Sequence, residues 1–360
     1  MFEGLIGNEK AKRVLCRLVE NGGRGGSLLF KGPAGVGKGL FARAFAGELL
    51  SAHDPEGSHR RKVESGVHPD LHLFSPEGKA ALHSIDAMRQ LSREVFMAPS
   101  EAKRKIFIID DADRMVSFGA NALLKTLEEP SLDALIILIT SDALALLPTI
   151  RSRARTLFFG PVDKEEIAGL LMGRGVPGEE ASRFAIQARG SVAEALQLAT
   201  SGPLRGRAPL LALLARGSSS FSDIVRLSSE ISEELGERRE SIEKEARLSW
   251  TNLDQFSATA RDEIEKEIEG AGSQAFAAEV DALLLDCLYW IRDCHLLRVA
   301  GGERFIYHRE HRTELASLAE GSRLLSLRQA SVAIQEARLA IQRSTRVSSV
   351  FEALLLQLCA

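Results

Sequence analysis

Along the first 160 residues, short apolar runs of strand length alternate with amphipathic stretches, and beyond Pro161 the alternation stops. The runs are SLLFKG (Ser27 to Gly32), DLHLFSP (Asp70 to Pro76), KIFIID (Lys105 to Asp110), ALIILIT (Ala134 to Thr140) and RTLFFG (Arg155 to Gly160). Between them, LFARAFAGELL has helical periodicity, and ANALLKTLEEP sets Ala120, Leu123, Leu124 and Leu127 on one helix face before Pro130 ends it. Strands alternating with helices predict an α/β layer with a parallel sheet.

From Asp163 to about Thr200 the pattern predicts three short helices, and from there to the end a predominantly helical region. Ala330, Ile334, Ala337 and Ile341 fall on one face of a late helix, as a bundle requires. The mixed charge runs Glu233 to Arg247 and Arg261 to Glu269 read as solvated helix faces. The expected division is an α/β domain over 1–162, a helical lid over 163–205 and a helical collar over 206–360. Gly23 to Ser27 and Ser201 to Pro209 are the hinge candidates.

Composition changes this picture little. Of 360 residues, 45% are hydrophobic and 26% charged, the balance of an ordinary globular protein. No apolar run approaches the roughly 18–20 residues that span a bilayer, and MFEGLIGNEKAKRVL lacks the features of a signal peptide, so a cytoplasmic protein is expected. A net charge of −3 argues against a generally basic surface, although Lys103, Arg104 and Lys105 form a short basic cluster. The four cysteines form no CxxC pair; Cys287 and Cys294 share a helix face and read as packing residues.

The chemistry is concentrated in GPAGVGKGL. Gly32, Pro33, Ala34, Gly35, Val36, Gly37 and Lys38 fit the phosphate-binding pattern G-x-x-x-x-G-K-[ST], but Gly39 stands where a hydroxyl would hold Mg²⁺. The loop follows a strand and precedes a helix, the context the motif needs. Asp110 ends the KIFIID strand, where a carboxylate would orient Mg²⁺. Asp111 follows, one methylene shorter than the glutamate that usually polarises attacking water. Thr140 ends another strand and is a candidate for sensing a γ-phosphate. Arg151, Arg153 and Arg155 alternate along what reads as an extended segment. A guanidinium offers bidentate donors to phosphate and keeps its charge. His53, His59, His68 and His72 lack the tight ligand pair typical of structural zinc, so a hydrophilic insertion loop is expected there rather than a metal.

NALLKTLEEP together with Ile150-Arg151-Ser152-Arg153-Ala154 resembles the clamp-loader branch of the AAA+ ATPases. The family's Ser-Arg-Cys motif appears as Ser152-Arg153-Ala154. LIGNEKAKRVL, HPDLHLFSPEGK and the two-aspartate strand extend the resemblance over about the first 200 residues, and the closing helices resemble the family's collar. Ser344 and Arg346 replace the Asn usual in its last motif. The resemblance implies a P-loop AAA+ domain with a small lid and an all-α collar. The family's motor subunits (γ/τ) carry the loop hydroxyl, a Glu after the Asp, four zinc-binding Cys and a lid arginine. This chain has Gly39, Asp111, no such Cys and Ala193 in those places while keeping Arg153. That combination resembles a stator rather than a motor. It implies that Ser152 and Arg153 act in trans on a neighbour's ATP. The chain's own site would hold ATP/Mg²⁺ weakly and hydrolyse little, within a polymerase holoenzyme. Implied partners are γ/τ and δ subunits, the sliding clamp and primed DNA. The rival readings are an active γ/τ-type motor, another AAA+ machine, and a P-loop kinase.

Overall fold

The computed structural model describes every residue except 1, 3, 23–25, 53, 55–56, 77–81, 116–122, 125, 129–132, 218, 251–257, 300–301, 322–323 and 360. His53, Ala120, Pro130 and the centre of the Gly23 to Ser27 hinge candidate lie outside the described residues.

The five apolar runs become β1 (Ser27–Lys31), β2 (Leu71–Phe74), β3 (Lys105–Ile109), β4 (Ala134–Thr140) and β5 (Ala154–Phe158). They form one parallel sheet in the order β2-β3-β4-β1-β5. β3 and β4 are buried along their whole length, as strands covered on both faces must be. Leu28 and Phe30 face one layer, packed with Ala11 and Leu15 of α1 (Glu9–Glu20) and with Phe41 and Phe45 of α2 (Lys38–Leu50). Leu29 and Phe107 face the other layer, with Leu91 of α4 (Ile85–Glu94) and with Leu123 and Leu127. α3 (Ser58–Glu64) follows α2, so part of the segment expected to be a loop is helical.

β4 lies between β1 and β3, with Lys31 opposite Thr140. The C-terminal ends of these three strands therefore meet at one sheet edge, where α/β folds place their ligands. The short α5 (Pro148–Arg151) precedes β5. Arg151 is thus helical and Ser152 has right-handed helical backbone angles, so the three arginines do not alternate along an extended segment. Pro148 ends its preceding loop and starts the turn, which overrides the strand-like spacing.

The lid helices are α6 (Lys164–Gly173), α7 (Gly178–Gln187) and α8 (Val192–Ser201), with a core of Ile167, Leu171, Phe184 and Ala195. They belong to the same compact unit as the sheet, which runs to Gly202; a second unit runs from Pro203 to Ala360. That unit contains α9 (Arg207–Arg216), α10 (Phe221–Ser249), α11 (Ala258–Leu297), α12 (Arg312–Glu320), α13 (Leu327–Gln342) and α14 (Val347–Leu358). Trp290, Cys287, Cys294 and Phe351 are buried in its core, and Ala330, Ile334 and Ala337 face it. No strand beyond β5 occurs among the described residues.

The charge run from Glu233 is not simply a solvated face. Glu234 is 5% exposed, accepts the backbone N–H groups of Arg205 and Gly206 at 2.7 and 2.9 Å, and pairs with Arg238. It ties the entry of the second unit to α10. Lys105 is also buried, so the basic cluster at 103–105 does not present three cations to solvent.

Candidate functional site

The loop between β1 and α2 has the path that its glycines allow. A Cβ at Gly32 would lie 2.1 Å from the Phe159 carbonyl oxygen, so no other residue fits where β1 passes β5. Gly35 has φ +75°, and its Cβ would meet Ser191 Oγ at 2.0 Å. Ala193 N–H donates to the Gly35 carbonyl at 3.0 Å, which fastens the start of α8 to the loop. Ala193, which stands where the resemblance implies a lid arginine in motor subunits, makes this backbone clasp. Pro33 and Ala34 form the exposed tip, and Val36 is buried beneath it.

Lys38 is 7% exposed, and its Nζ donates to the carbonyls of Gly32 and Pro33, each at 2.7 Å. Burial pulls its pKa down against the pull of Asp111, Asp110 and Asp113. The ammonium is folded onto its own loop. Gly39 opens α2, and a Cβ there would sit 3.8 Å from Asp110 Oδ2, an ordinary contact. A hydroxyl at 39 would therefore stand beside the carboxylate, and the glycine leaves that place without one.

The sequence expected Asp110, Asp111 and Thr140 at this edge, and all three converge there. Asp111 has left-handed backbone angles (φ 43°), which aspartate tolerates better than most residues. Its carboxylate turns toward Arg114, 3.5 Å away. Burial, then the neighbouring Asp110, raises its pKa from 3.8 to about 6. Thr140 is fully buried and donates its hydroxyl to Asp113 Oδ1 at 2.5 Å. Asp113 and His83 are contributors the sequence reading missed. His83 is buried, kept neutral chiefly by that burial, and its Nε2 donates to the Asp110 carbonyl at 2.7 Å. No local motif marks His83; only the parallel bridge of His83 to Met115 brings it there.

Ser152 and Arg153 sit between α5 and the start of β5, both exposed; Ala154 pairs with Ser27, so they lie at the N-terminal edge of the parallel sheet, at the end away from the phosphate loop. Arg153 Nη1 donates to the Thr149 carbonyl at 3.0 Å, and Nη2 pairs with Glu128 at 2.7 Å. The guanidinium is held at the surface by these contacts, with donors to spare.

His59, His68 and Glu101 bring one ligand atom each within 4.8 Å of one another, a geometry the sequence spacing did not suggest. The proton positions weigh against a metal. His68 Nδ1 accepts the Asp70 N–H at 3.0 Å, so Nε2 carries the proton and donates to His59 Nδ1 at 2.8 Å. Glu101 is taken by Lys62 at 2.5 Å. The group is a hydrogen-bonded chain beside Asp70, whose buried carboxylate accepts the N–H groups of Ser100, Glu101 and Ala102. His72 stands apart, stacked on Phe107 with Nδ1 3.1 Å from Glu94.

A phosphate loop after β1, paired aspartates just beyond β3, a polar end to β4 between these strands and three short helices following the sheet define a P-loop α/β domain. Residues 7–163 match the sequence family described as DNA polymerase III, delta subunit. The DNA polymerase III subunit delta′ of Bacillus subtilis is 35% identical over 195 residues, 52% of this chain and 58% of the relative. The gamma/tau subunit of Mycobacterium tuberculosis H37Rv is 35% identical over 159 residues, 42% of this chain and 27% of the relative. A solved DNA polymerase III gamma subunit-related protein of Thermotoga maritima is 20% identical, with a TM-score of 0.37, covering 94% of this chain and 100% of its own. Through its α/β part, the chain is similar to the delta′ subunits of DNA polymerase III. It spans little more than half the length of the B. subtilis relative. Among the described residues, no helix is long and apolar enough to cross a membrane.

Proposed function

We propose that the chain is the stator of a bacterial clamp loader and helps place a sliding clamp on primed DNA. Ser152 and Arg153 act on ATP held by an adjacent γ/τ-type motor subunit, and a δ subunit completes the assembly. The observation that supports this reading is the exposed Arg153 fork at the end of the sheet away from the phosphate loop, in a domain whose own loop lacks the Mg²⁺ hydroxyl. Arg153 would exchange Glu128 for γ-phosphate oxygens, neutralising charge that develops as the phosphoryl group transfers. An arginine supplied in trans accelerates such transfer by about 10³–10⁵.

The chain's own site would bind ATP weakly. The loop N–H groups and the N-terminus of α2 can receive phosphates without a metal. Gly39 gives Mg²⁺ no hydroxyl, however, and Asp111 is both short and turned to Arg114.

The test is ATP turnover by the assembled loader with clamp and primed DNA. Arg153→Ala is expected to lower turnover at least tenfold with assembly intact, whereas Lys38→Ala leaves it within twofold. Turnover that survives Arg153→Ala and is lost with Lys38→Ala would make this chain a motor.

A further inference from the structure

We propose that the loop before α12 in the second unit is a binding surface for single-stranded nucleic acid. Its sequence, ERFIYHREHR from Glu303 to Arg312, interleaves basic and aromatic side chains. Such interleaving suits a strand that offers alternating phosphates and bases. The loop borders a cleft of roughly 820 Å³ lined by Arg298, Arg304, Arg309 and Arg312 against the carboxylate of Glu303. That volume lies within the range of small-ligand sites and suits a nucleotide-sized unit.

Two of these cations are committed within the fold. Arg298 donates to the Ala319 and Gly321 carbonyls at 2.6 and 2.8 Å, and Arg312 pairs with Glu303 at 2.8 Å. Arg304 and Arg309 are exposed and form no ion pair among the described residues. The Arg304 guanidinium lies 4.7 Å from the centroid of the Phe305 ring, which is 54% exposed. An exposed ring with a guanidinium beside it offers a base both a stacking face and a cation. An acidic peptide would use the cations but not the ring.

The loop is held in shape from beneath. Asp293 is fully buried, and its Oδ2 accepts the N–H groups of Tyr307 and His308 and the His308 ring, each at 3.0 Å. Arg292 lies over the rings of Tyr289 and Tyr307 and donates to the Phe305 carbonyl at 3.3 Å. Pinning Tyr307 and His308 fixes the residues on either side, so Arg304 and Arg309 meet a ligand with little ordering cost.

The experiment is a fluorescence-anisotropy titration of the full chain with labelled oligo-dT of about 20 nucleotides, from about 50 to 200 mM salt. Binding at low salt is expected, weakening as salt rises. The double variant Arg304→Gln/Arg309→Gln is expected to flatten the log–log salt slope by about 1.4, two phosphates' worth for a single strand. Phe305→Ala is expected to weaken binding about fivefold or more with the slope kept. All three side chains are exposed, so the variants' melting temperatures should match the wild type's. The proposal is overturned by no binding at the lowest salt, or by variants with unchanged affinity and slope. Displacement by polyglutamate as effective as by unlabelled DNA of equal charge would also overturn it, showing a site for any polyanion.

Discussion

The phosphate-loop corner and the arginine edge lie in one domain and treat their polar groups in opposite ways. At the loop, Lys38 donates to its own carbonyls, Thr140 to Asp113, and Asp111 faces Arg114. Each functional group there has an internal partner. At the edge, Arg153 is exposed and keeps one carboxylate, Glu128, through a surface pair. Exposed pairs contribute about 0–1 kcal/mol, so that guanidinium is released at little cost. The lysine can meet a phosphate only by giving up two part-buried hydrogen bonds. The difference teaches where a domain of this fold can act: inward-satisfied groups stabilise the chain itself, and a lightly tethered surface group is available to a neighbour.

The comparison is broken most forcefully at Gly35. Gly35→Val forces a β-branched residue to φ +75° and drives its Cβ into Ser191. Strain and overlap together should cost about 2–4 kcal/mol, read as an earlier first transition in urea unfolding. Arg153→Val, the matching change at the other corner, should stay within about 0.5 kcal/mol. Equal effects would mean the two corners are not differently built.

A smaller effect is expected at Gly39. The space beside Asp110 admits a side chain, so Gly39→Ser should tighten Mg²⁺-dependent ATP binding by about tenfold, or about 1.4 kcal/mol, in a calorimetric titration. Turnover should stay negligible because Asp111 is unchanged. If affinity does not move with Mg²⁺, the missing hydroxyl is not what weakens the site.

The smallest effect depends on pH, because the Asp111 side chain is 35% exposed and solvent screens its charge. The folded pKa of Asp111, about 6, lies above its ordinary 3.8 because of burial and Asp110. A raised carboxylate pKa means the native state prefers the protonated form, so ionisation above pH 6 costs stability that returns as pH falls. Asp111→Asn should therefore stabilise the chain above about pH 6, with the gain closing by about pH 4. A gain of the same size at both pH values would remove charge as its cause. No comparable pH dependence should follow Arg153→Gln, since arginine does not titrate there.

Much of this was legible in the sequence for identifiable reasons. β3 and β4 announce themselves because strands buried on both faces must be continuously apolar. The loop is legible because only glycine tolerates its close approaches, at Gly32 against Phe159 above all. Gly39, Asp111 and Arg153 could be read as departures and retentions because their chemistry is local. The arginine segment was misread: spacing of two suggested a strand, and only the turn begun by Pro148 makes Arg151 helical. The charge run at Glu233 was misread too, because the burial of Glu234 depends on Arg205 and Gly206, 28 to 29 residues away in sequence.

By itself the sequence determined the parallel sheet, the helical second half and the position of the incomplete phosphate loop, because periodicity and single-residue chemistry are carried along the chain. The tertiary structure alone decided which groups are spent and which are free. It set His83 under Asp110, Ser191 against Gly35 and Asp113 on Thr140, and it pinned the 303–312 loop on Asp293. Those pairings join residues distant in sequence, and their strength comes from burial, which no single stretch of chain contains.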